Sequence, residues 1–483
     1  MLFNSIDFFI FLPIVYILFW LFGKDKPKTQ NIILLLASYV FYGWWDYRFL
    51  SLIIFSTFVD YFVGKAIYKS SDKKVKKGWL WVSIIFNLGL LGFFKYYDFF
   101  VDSFVDAFLI AGFQIESIWT LNIILPVGIS FYTFQTLSYS LDIYKEDLKP
   151  TNDLISFGTY VSFFPQLVAG PIERASHLLP QITKVKHFNY KQSVEGLKLM
   201  LWGLFKKVAI ADSLALIVDD IFANHSTYPS TTLLMGAIFF GFQIYCDFSG
   251  YSDIAIGTSK LFGVELMSNF KFPYLSRSIA EFWRRWHISL STWFRDYLYI
   301  PLGGSRGTRS KAIRNVFIIF LVSGLWHGAN WTFVVWGLFH ALLFLPSFYF
   351  NTNRKHLDNV NLFSSVKTFF IDGGQILIMF ILVMLGWVFF RSETLADSFS
   401  YLQSMLFDFT HWNYIHPRGY RMWDYYVLII GFIIFEYIIR KDERNPLNFN
   451  NRFVRLACYL LLIFLIFMFY DDAMDRSFIY FQF

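Results

Sequence analysis

Residues 8–45 read FFIFLPIVYILFWLFGKDKPKTQNIILLLASYVFYGWW. Two apolar runs, Phe8–Phe22 and Ile32–Trp45, flank a short loop that carries Lys24, Lys26 and Lys28. A helix needs roughly 20 mostly apolar residues to cross a bilayer. Apolar runs joined by a basic loop are what successive crossings with a cytoplasmic turn look like. The pattern repeats along the chain, near 49–68, 79–96, 121–143, 196–222, 231–246, 314–326, 331–350, 368–390, 424–440 and 453–470. The stretches 157–171 and 250–263 are too short or too polar to cross alone. They read as re-entrant pieces, which persist only where protein or a wet cavity shields the backbone. These runs imply an all-α polytopic membrane protein with about eleven to thirteen crossings.

Composition excludes the soluble alternatives. Of 483 residues, 56% are hydrophobic, 22% aromatic and only 16% charged, against about 25% charged in globular domains. So few charges cannot cover so much apolar surface. The two cysteines, Cys246 and Cys458, both sit in apolar runs, which excludes a disulfide framework. The net charge of +7 does not point to nucleic acid, because a membrane protein concentrates its basic excess in cytoplasmic loops. The first apolar run has no basic residue before it and no small-residue cleavage site after it, so it is not expected to be a cleaved signal. Lys24–Lys28 place the first loop inside and the N-terminus outside. The lysines at 69–77 read as inside again, and Asp98, Asp102, Asp106 and Glu116 as outside. Basic clusters at 184–191, 304–314 and 440–445 also read as cytoplasmic, so the run 453–470 leads outward to an extracytoplasmic C-terminus. No repeat, linker or separate soluble domain is evident. Residues 1–483 read as one integral-membrane domain: N-terminal helices over 1–120, a catalytic core over 121–345, and C-terminal helices with an aromatic tail over 346–483.

The polar residues concentrate in the middle of the chain. Arg277, Glu281, Arg284, Arg285, His287, Arg295 and Asp296 are interleaved with Trp283, Trp286 and Trp293. In a helix Glu281 and Arg285 stand four apart and can pair. A charge at bilayer centre costs roughly 2.5–3.5 kcal/mol on insertion scales. The segment therefore faces a wet cavity or lies at the interface with aromatic and basic anchors. Residues 321–331, LVSGLWHGANW, place His327 and Asn330 between two apolar helices, with Gly324 and Gly328 beside the imidazole. Those glycines admit another backbone or a thin substrate. An imidazole there can take a proton from a hydroxyl or thiol. The alternative is a histidine that packs helices and bonds a carbonyl, for which His340 is the example. Pro165 and Pro171 break helices, and Glu173 and Arg174 are expected to pair beside them. Asp247 and Asp253 flank a glycine break at Gly250; they orient a histidine, bind a cation or cap helices. Gly303–Gly307 matches G-x-S-x-G, but that motif requires a strand-to-helix elbow, so Ser305 is not a nucleophile. Neither metal-ligand spacing nor a P-loop is present.

These segments together resemble the membrane-bound O-acyltransferases, in the bacterial branch that acylates cell-envelope polymers. The resemblance spans almost the whole chain. It rests on the opening Met1–Ser5, Gln166–Pro171, Asp247–Asp253, Phe282–His287 (FWRRWH), Tyr299–Gly304 (YIPLGG) and Gly324–Gly328 (GLWHG). It implies a ring of helices with short re-entrant segments around a central funnel, and a multi-pass protein of the bacterial inner membrane. The family's principal catalytic histidine falls on His327 and a second on His287; the residues nearby that could support the oxyanion are Asn330, Trp326 or His287 itself. It implies no bound cofactor or metal and a cytoplasmic acyl-thioester donor, acetyl-CoA, whose phosphates meet Arg306, Arg309, Lys311 and Arg314. Membrane lipid, an extracytoplasmic esterase-like transferase and a polysaccharide acceptor such as alginate or peptidoglycan complete the implied partners. The ending Arg476–Phe483 also resembles a tail of this branch. In related D-alanylation systems a similar tail belongs to a separate small protein whose tyrosine carries the acyl group. By that similarity Tyr480 is the expected relay, seated by Phe478, Phe481 and Phe483; otherwise the tail is an interfacial anchor. Two other readings remain open at this point. A polysaccharide transporter or flippase would line a route with these charges. A non-catalytic scaffold of an export complex would use them for packing.

Overall fold

The computed structural model describes residues 1–113, 121, 123–168, 170–357, 362–363, 365–408, 414–470 and 478–479. Glu116, Arg476, Tyr480, Phe481 and Phe483 lie outside the described residues. Among those described, the regular structure is helical, with no strand. The helices are α1 (Ile6–Phe22), α2 (Pro27–Asp46), α3 (Leu50–Lys69), α4 (Lys73–Leu91), α5 (Tyr97–Ile110) and α6 (Ile129–Tyr144), then the short α7 (Leu154–Ser162), α8 (Phe164–Leu167) and α9 (Ala175–Thr183). They are followed by α10 (Tyr190–Leu204), α11 (Ser213–Ala223), α12 (Ser230–Leu261), α13 (Ile279–Arg285), α14 (Ile288–Phe294), α15 (Arg309–His327) and α16 (Trp331–Tyr349). The last four are α17 (Val366–Arg391), α18 (Leu395–Phe407), α19 (Met422–Ile439) and α20 (Arg452–Phe469).

Seven helical runs among the described residues are long and apolar enough to cross a bilayer. Two of them are compound: α2 and α3 form one run, α4 and α5 another. The larger number expected from hydropathy includes mixed stretches such as 121–143 and 196–222. The first yields only α6, whose faces are almost wholly buried and carry Thr133, Gln135, Thr136, Ser138 and Ser140. The second is split by a π-helical turn at Phe205–Asp212. That turn sends the consecutive Lys206 and Lys207 into the interior, which an unbroken α-helix, with 100° between neighbours, does poorly.

The chain forms two compact units, Met1–Gly196 with Ala255–Met267, and Leu197–Ile254 with Ser268–Phe483. Neither boundary falls at 120 or 345. In the first unit the buried carboxylate of Asp60 on α3 accepts from Ser83 (2.5 Å) and Asn87 (2.8 Å) on α4 and from Ser140 (2.8 Å) on α6. Such a cluster ties apolar helices together where water cannot. The proline-broken stretch forms α7 and α8, buried throughout. Glu173 bonds His177 (2.7 Å) and the amide of Met267.

In the second unit one expectation is overturned. Gly250 does not break the chain; α12 runs through it for 32 residues. A Cβ on Gly250 would press on the Gly203 carbonyl, and one on Gly203 on the Gly250 carbonyl. The glycine is there for close helix contact, as small residues are between membrane helices. Asp247 and Asp253 are therefore mid-helix residues, not caps.

Candidate active site

The site belongs wholly to the second unit. α15 and α16 form a hairpin whose glycines are filled by backbone: a Cβ on Gly324 would overlap the Phe333 carbonyl, and one on Gly337 the Phe320 carbonyl. Gly328 ends α15 in extended conformation, leaving His327 as the last residue of the helix. Its buried ring packs edge-on against Trp326 (5.0 Å), Trp336 (5.0 Å) and Phe390 (5.3 Å). The ring of His287 lies 6.4 Å away, centroid to centroid, with Trp326 5.8 Å from it. The sequence's two histidines and its supporting tryptophan are thus one cluster.

His287 is built with unusual care. It occupies the left-handed region (φ +42°) between α13 and α14, which a non-glycine residue adopts only when its surroundings hold it there. Asn269 does so. Its carbonyl oxygen Oδ1 receives the Ser289 hydroxyl (2.9 Å), the Ser289 amide (3.3 Å) and His287 Nδ1 (3.1 Å). An atom that accepts two donors is an acceptor, so Nδ1 carries the proton. In the neutral ring the lone pair then sits on Nε2, which is buried without a hydrogen-bond partner among the described residues. Sequence reading missed Asn269, because an isolated asparagine eighteen residues upstream carries no pattern.

Asn330 behaves differently from its expected role. It caps α16: Oδ1 accepts from the Thr332 amide (3.0 Å) and Nδ2 donates to the Glu393 carbonyl (2.8 Å). An amide spent in this way holds a helix end rather than an oxyanion. His340 is wholly buried among Trp283 (5.2 Å), Trp336 (4.8 Å), Phe282 and Phe320. It packs, as expected, but no carbonyl takes its proton among the described residues.

A cavity of about 690 Å³ lies in the same unit; neither histidine lines it, but sequence neighbours of both do. Its wall includes Ser323, one turn before His327, and Ile288, next to His287. Trp283, Phe320 and Phe344 make it apolar, while Lys271, Arg284, Arg285, Arg295, Arg440 and Lys441 make it cationic. Glu281 accepts from Arg285 (2.6 Å) and Arg277 (3.0 Å), so the expected helical pair exists and has a second arginine. The four basic residues expected to meet the donor do not line this cavity. Arg309 lies over Tyr349 and donates to its carbonyl; Arg314 bonds Asn315 (3.0 Å), which seals the turn at Leu302 and Gly304. Arg306 and Lys311 are exposed. No group of three or more metal-ligating side chains occurs among the described residues.

Residues 145–359, which include both histidines, match the model of the membrane-bound O-acyltransferase family. A probable alginate O-acetylase of Azotobacter vinelandii is 41% identical over 450 residues, covering 92% of this chain and 86% of the relative. This chain belongs to the membrane-bound O-acyltransferase family. Another relative, the peptidoglycan O-acetyltransferase of Helicobacter pylori, is 37% identical over 443 residues (84% of this chain, 80% of the relative). The teichoic acid D-alanyltransferase of Bacillus subtilis is 30% identical over 250 residues (49% and 62%). As a member of the family the chain is a multi-pass membrane acyltransferase. The transporter and scaffold readings fall with that assignment.

Proposed function

We propose that this acyltransferase moves an acetyl group from cytoplasmic acetyl-CoA to hydroxyls of an extracytoplasmic envelope polysaccharide, in the inner membrane, with an esterase-like transferase completing delivery. The observation that carries the reading is the pair of buried histidines in a unit whose cavity, walled by their sequence neighbours, has both apolar and cationic lining. Such a cavity suits a thioester: the pantetheine arm needs apolar walls, and the phosphates need cations. Arg440 and Lys441 belong to the basic loop 440–445, which the positive-inside rule assigns to the cytoplasm. We therefore move donor binding from Arg306, Arg309, Lys311 and Arg314 to the cations of the cavity. The relatives named for alginate and peptidoglycan O-acetylation support the polysaccharide acceptor without choosing between polymers.

In this reading His327 is the general base. It takes the proton of the attacking hydroxyl as the oxygen closes on the thioester carbon, and returns it to the departing thiolate. His287, with its lone pair on Nε2, orients the hydroxyl. The Trp326 indole N–H supplies the oxyanion contact that Asn330, committed to its helix, does not. Tyr480, by family similarity, takes the acetyl group as an aryl ester before onward transfer. The test is His327→Ala. Purified variant should insert and melt like wild type, yet consume thioester about 10²–10⁴-fold more slowly, and its strain should lack polymer-bound acetyl. Near-normal polymer acetylation would remove His327 from the chemistry.

A further inference from the structure

Beyond Tyr470 the structure describes Phe478 and Ile479, both buried. The Phe478 ring lies 4.6 Å from Tyr251 and 5.5 Å from Phe248 on α12, and Phe248 in turn meets the His287 ring edge-on at 4.6 Å. The main-chain amide of Ile479 donates to Asp247 Oδ2 at 2.7 Å. The other oxygen of Asp247 is 2.8 Å from Lys207 Nζ, which also reaches Asp212 at 2.7 Å. Lys207 and Asp247 are almost wholly withdrawn from solvent.

A buried ion pair is a poor way to stabilise helix packing, since apolar residues of similar volume serve as well or better. The pair makes sense if the carboxylate is needed for something else. Here its second oxygen reads a backbone N–H from a segment 232 residues away. A contact to main chain fixes the path and register of that segment whatever its side chains. Asp247, Phe248 and Tyr251 stand at i, i+1 and i+4 on α12, so one helix turn supplies both the polar clamp and the aromatic seat. The π-helical turn at Phe205–Asp212 supplies the lysine that orients the carboxylate.

We propose that Asp247, held by Lys207, is a docking point for the C-terminal segment: a positioning residue that clamps Ile479 and seats Phe478 against Tyr251 and Phe248, the ring that packs on His287. The clamp fixes the register of the segment at Phe478 and Ile479. The docking stands on the geometry above; its consequence for acyl transfer rests on the relay reading of Tyr480.

The experiment is hydrogen–deuterium exchange of the full-length protein, read on the peptide 470–483, with polymer acetylation read in parallel. In wild type the Ile479 amide should be protected. Asp247→Ala should speed exchange in this peptide at least tenfold while peptides from α15 exchange as before. Phe478→Ala, which leaves the Lys207–Asp247 pair intact, should do the same. Ile479→Pro removes the donated N–H, along with the side chain and the free φ, and should lower polymer acetylation by roughly 10–100-fold through misplacement, whereas Ile479→Val, which keeps the N–H, should not. Unchanged exchange in both Asp247→Ala and Phe478→Ala overturns the docking. Tyr480→Phe separates the two ideas: full activity with a protected tail discards the relay and leaves the dock, while lost activity with a protected tail is the result expected of both.

Discussion

Two buried polar clusters in this protein are built from similar materials and settled in opposite ways. On α3, α4 and α6, Asp60 has a donor for each oxygen, and Asn87, Thr136 and Ser83 are bonded in turn. Around α13, α15 and α16, polar atoms are buried without partners among the described residues: His287 Nε2, both nitrogens of His340, and the indole nitrogens of Trp283 and Trp336. Burying a polar group unpaired costs about 1–3 kcal/mol by mutational measures. The first cluster avoids that cost and the second carries it several times over. The satisfied cluster holds helices together; in the other, His340 packs, and the unpaired Nε2 of His287 is the atom we assign to the substrate.

Exchanging the two kinds of failure tests that contrast. The largest effect belongs to the unsatisfied cluster. His287→Ala should slow acyl transfer by about 10²-fold, the low end for proton-transfer groups, and less than His327→Ala. His287→Asn should lose as much rate while melting at wild-type temperature, because asparagine tolerates the left-handed backbone at this position. Rate and stability are read on the same preparation, by thioester consumption and thermal unfolding in detergent. A loss of stability with intact turnover would make His287 a packing residue.

The satisfied cluster should fail the other way. Asp60→Ala strands the donors of Ser83, Asn87 and Ser140, and should cost about 1–3 kcal/mol of stability with little change in turnover per folded molecule. Asp60→Asn, which can still accept, should cost less. A variant that folds normally but turns over tenfold more slowly would give Asp60 a part in the chemistry and remove the contrast.

How much of this was legible depends on the information one sequence can carry. Apolar runs such as α1, α17 and α20 are dictated by the bilayer and read directly. The His327 motif was legible because its glycines and histidine are adjacent in sequence, and the Glu281–Arg285 pair because helix geometry fixes i, i+4. The Asn269–His287 bond was not, since it depends on where a loop returns. Gly250 was misread because a glycine that breaks a helix and one that lets two helices touch look alike until Gly203 is found opposite. The paired lysines of the π-helical turn escaped for the same reason: whether they face inward depends on one extra residue in a turn, which no periodicity announces.

The smallest effect concerns the donor, and it sets the sequence expectation directly against the structure. Arg306 and Lys311 lie in a basic loop that reads as a phosphate surface, yet neither lines the cavity. Lys271 and Lys441 do. Lys271 is half exposed and shares its charge with Glu443 at 3.2 Å. Charges at such a mouth act through water and salt, so each is worth no more than about 1 kcal/mol, or roughly fivefold in affinity. Lys441→Ala should therefore raise KM for acetyl-CoA about two- to fivefold and leave kcat alone. Lys271→Ala should raise KM by a similar factor, because it also leaves Glu443 uncompensated at the cavity wall. The Lys441 effect should shrink as salt is raised, and with a thioester that lacks the nucleotide, such as acetyl-pantetheine, it should vanish. Arg306→Ala should change KM under none of these conditions. If instead Arg306→Ala raises KM and Lys441→Ala does not, the donor approaches over the loop, as the sequence alone suggested, and the cavity serves some other guest.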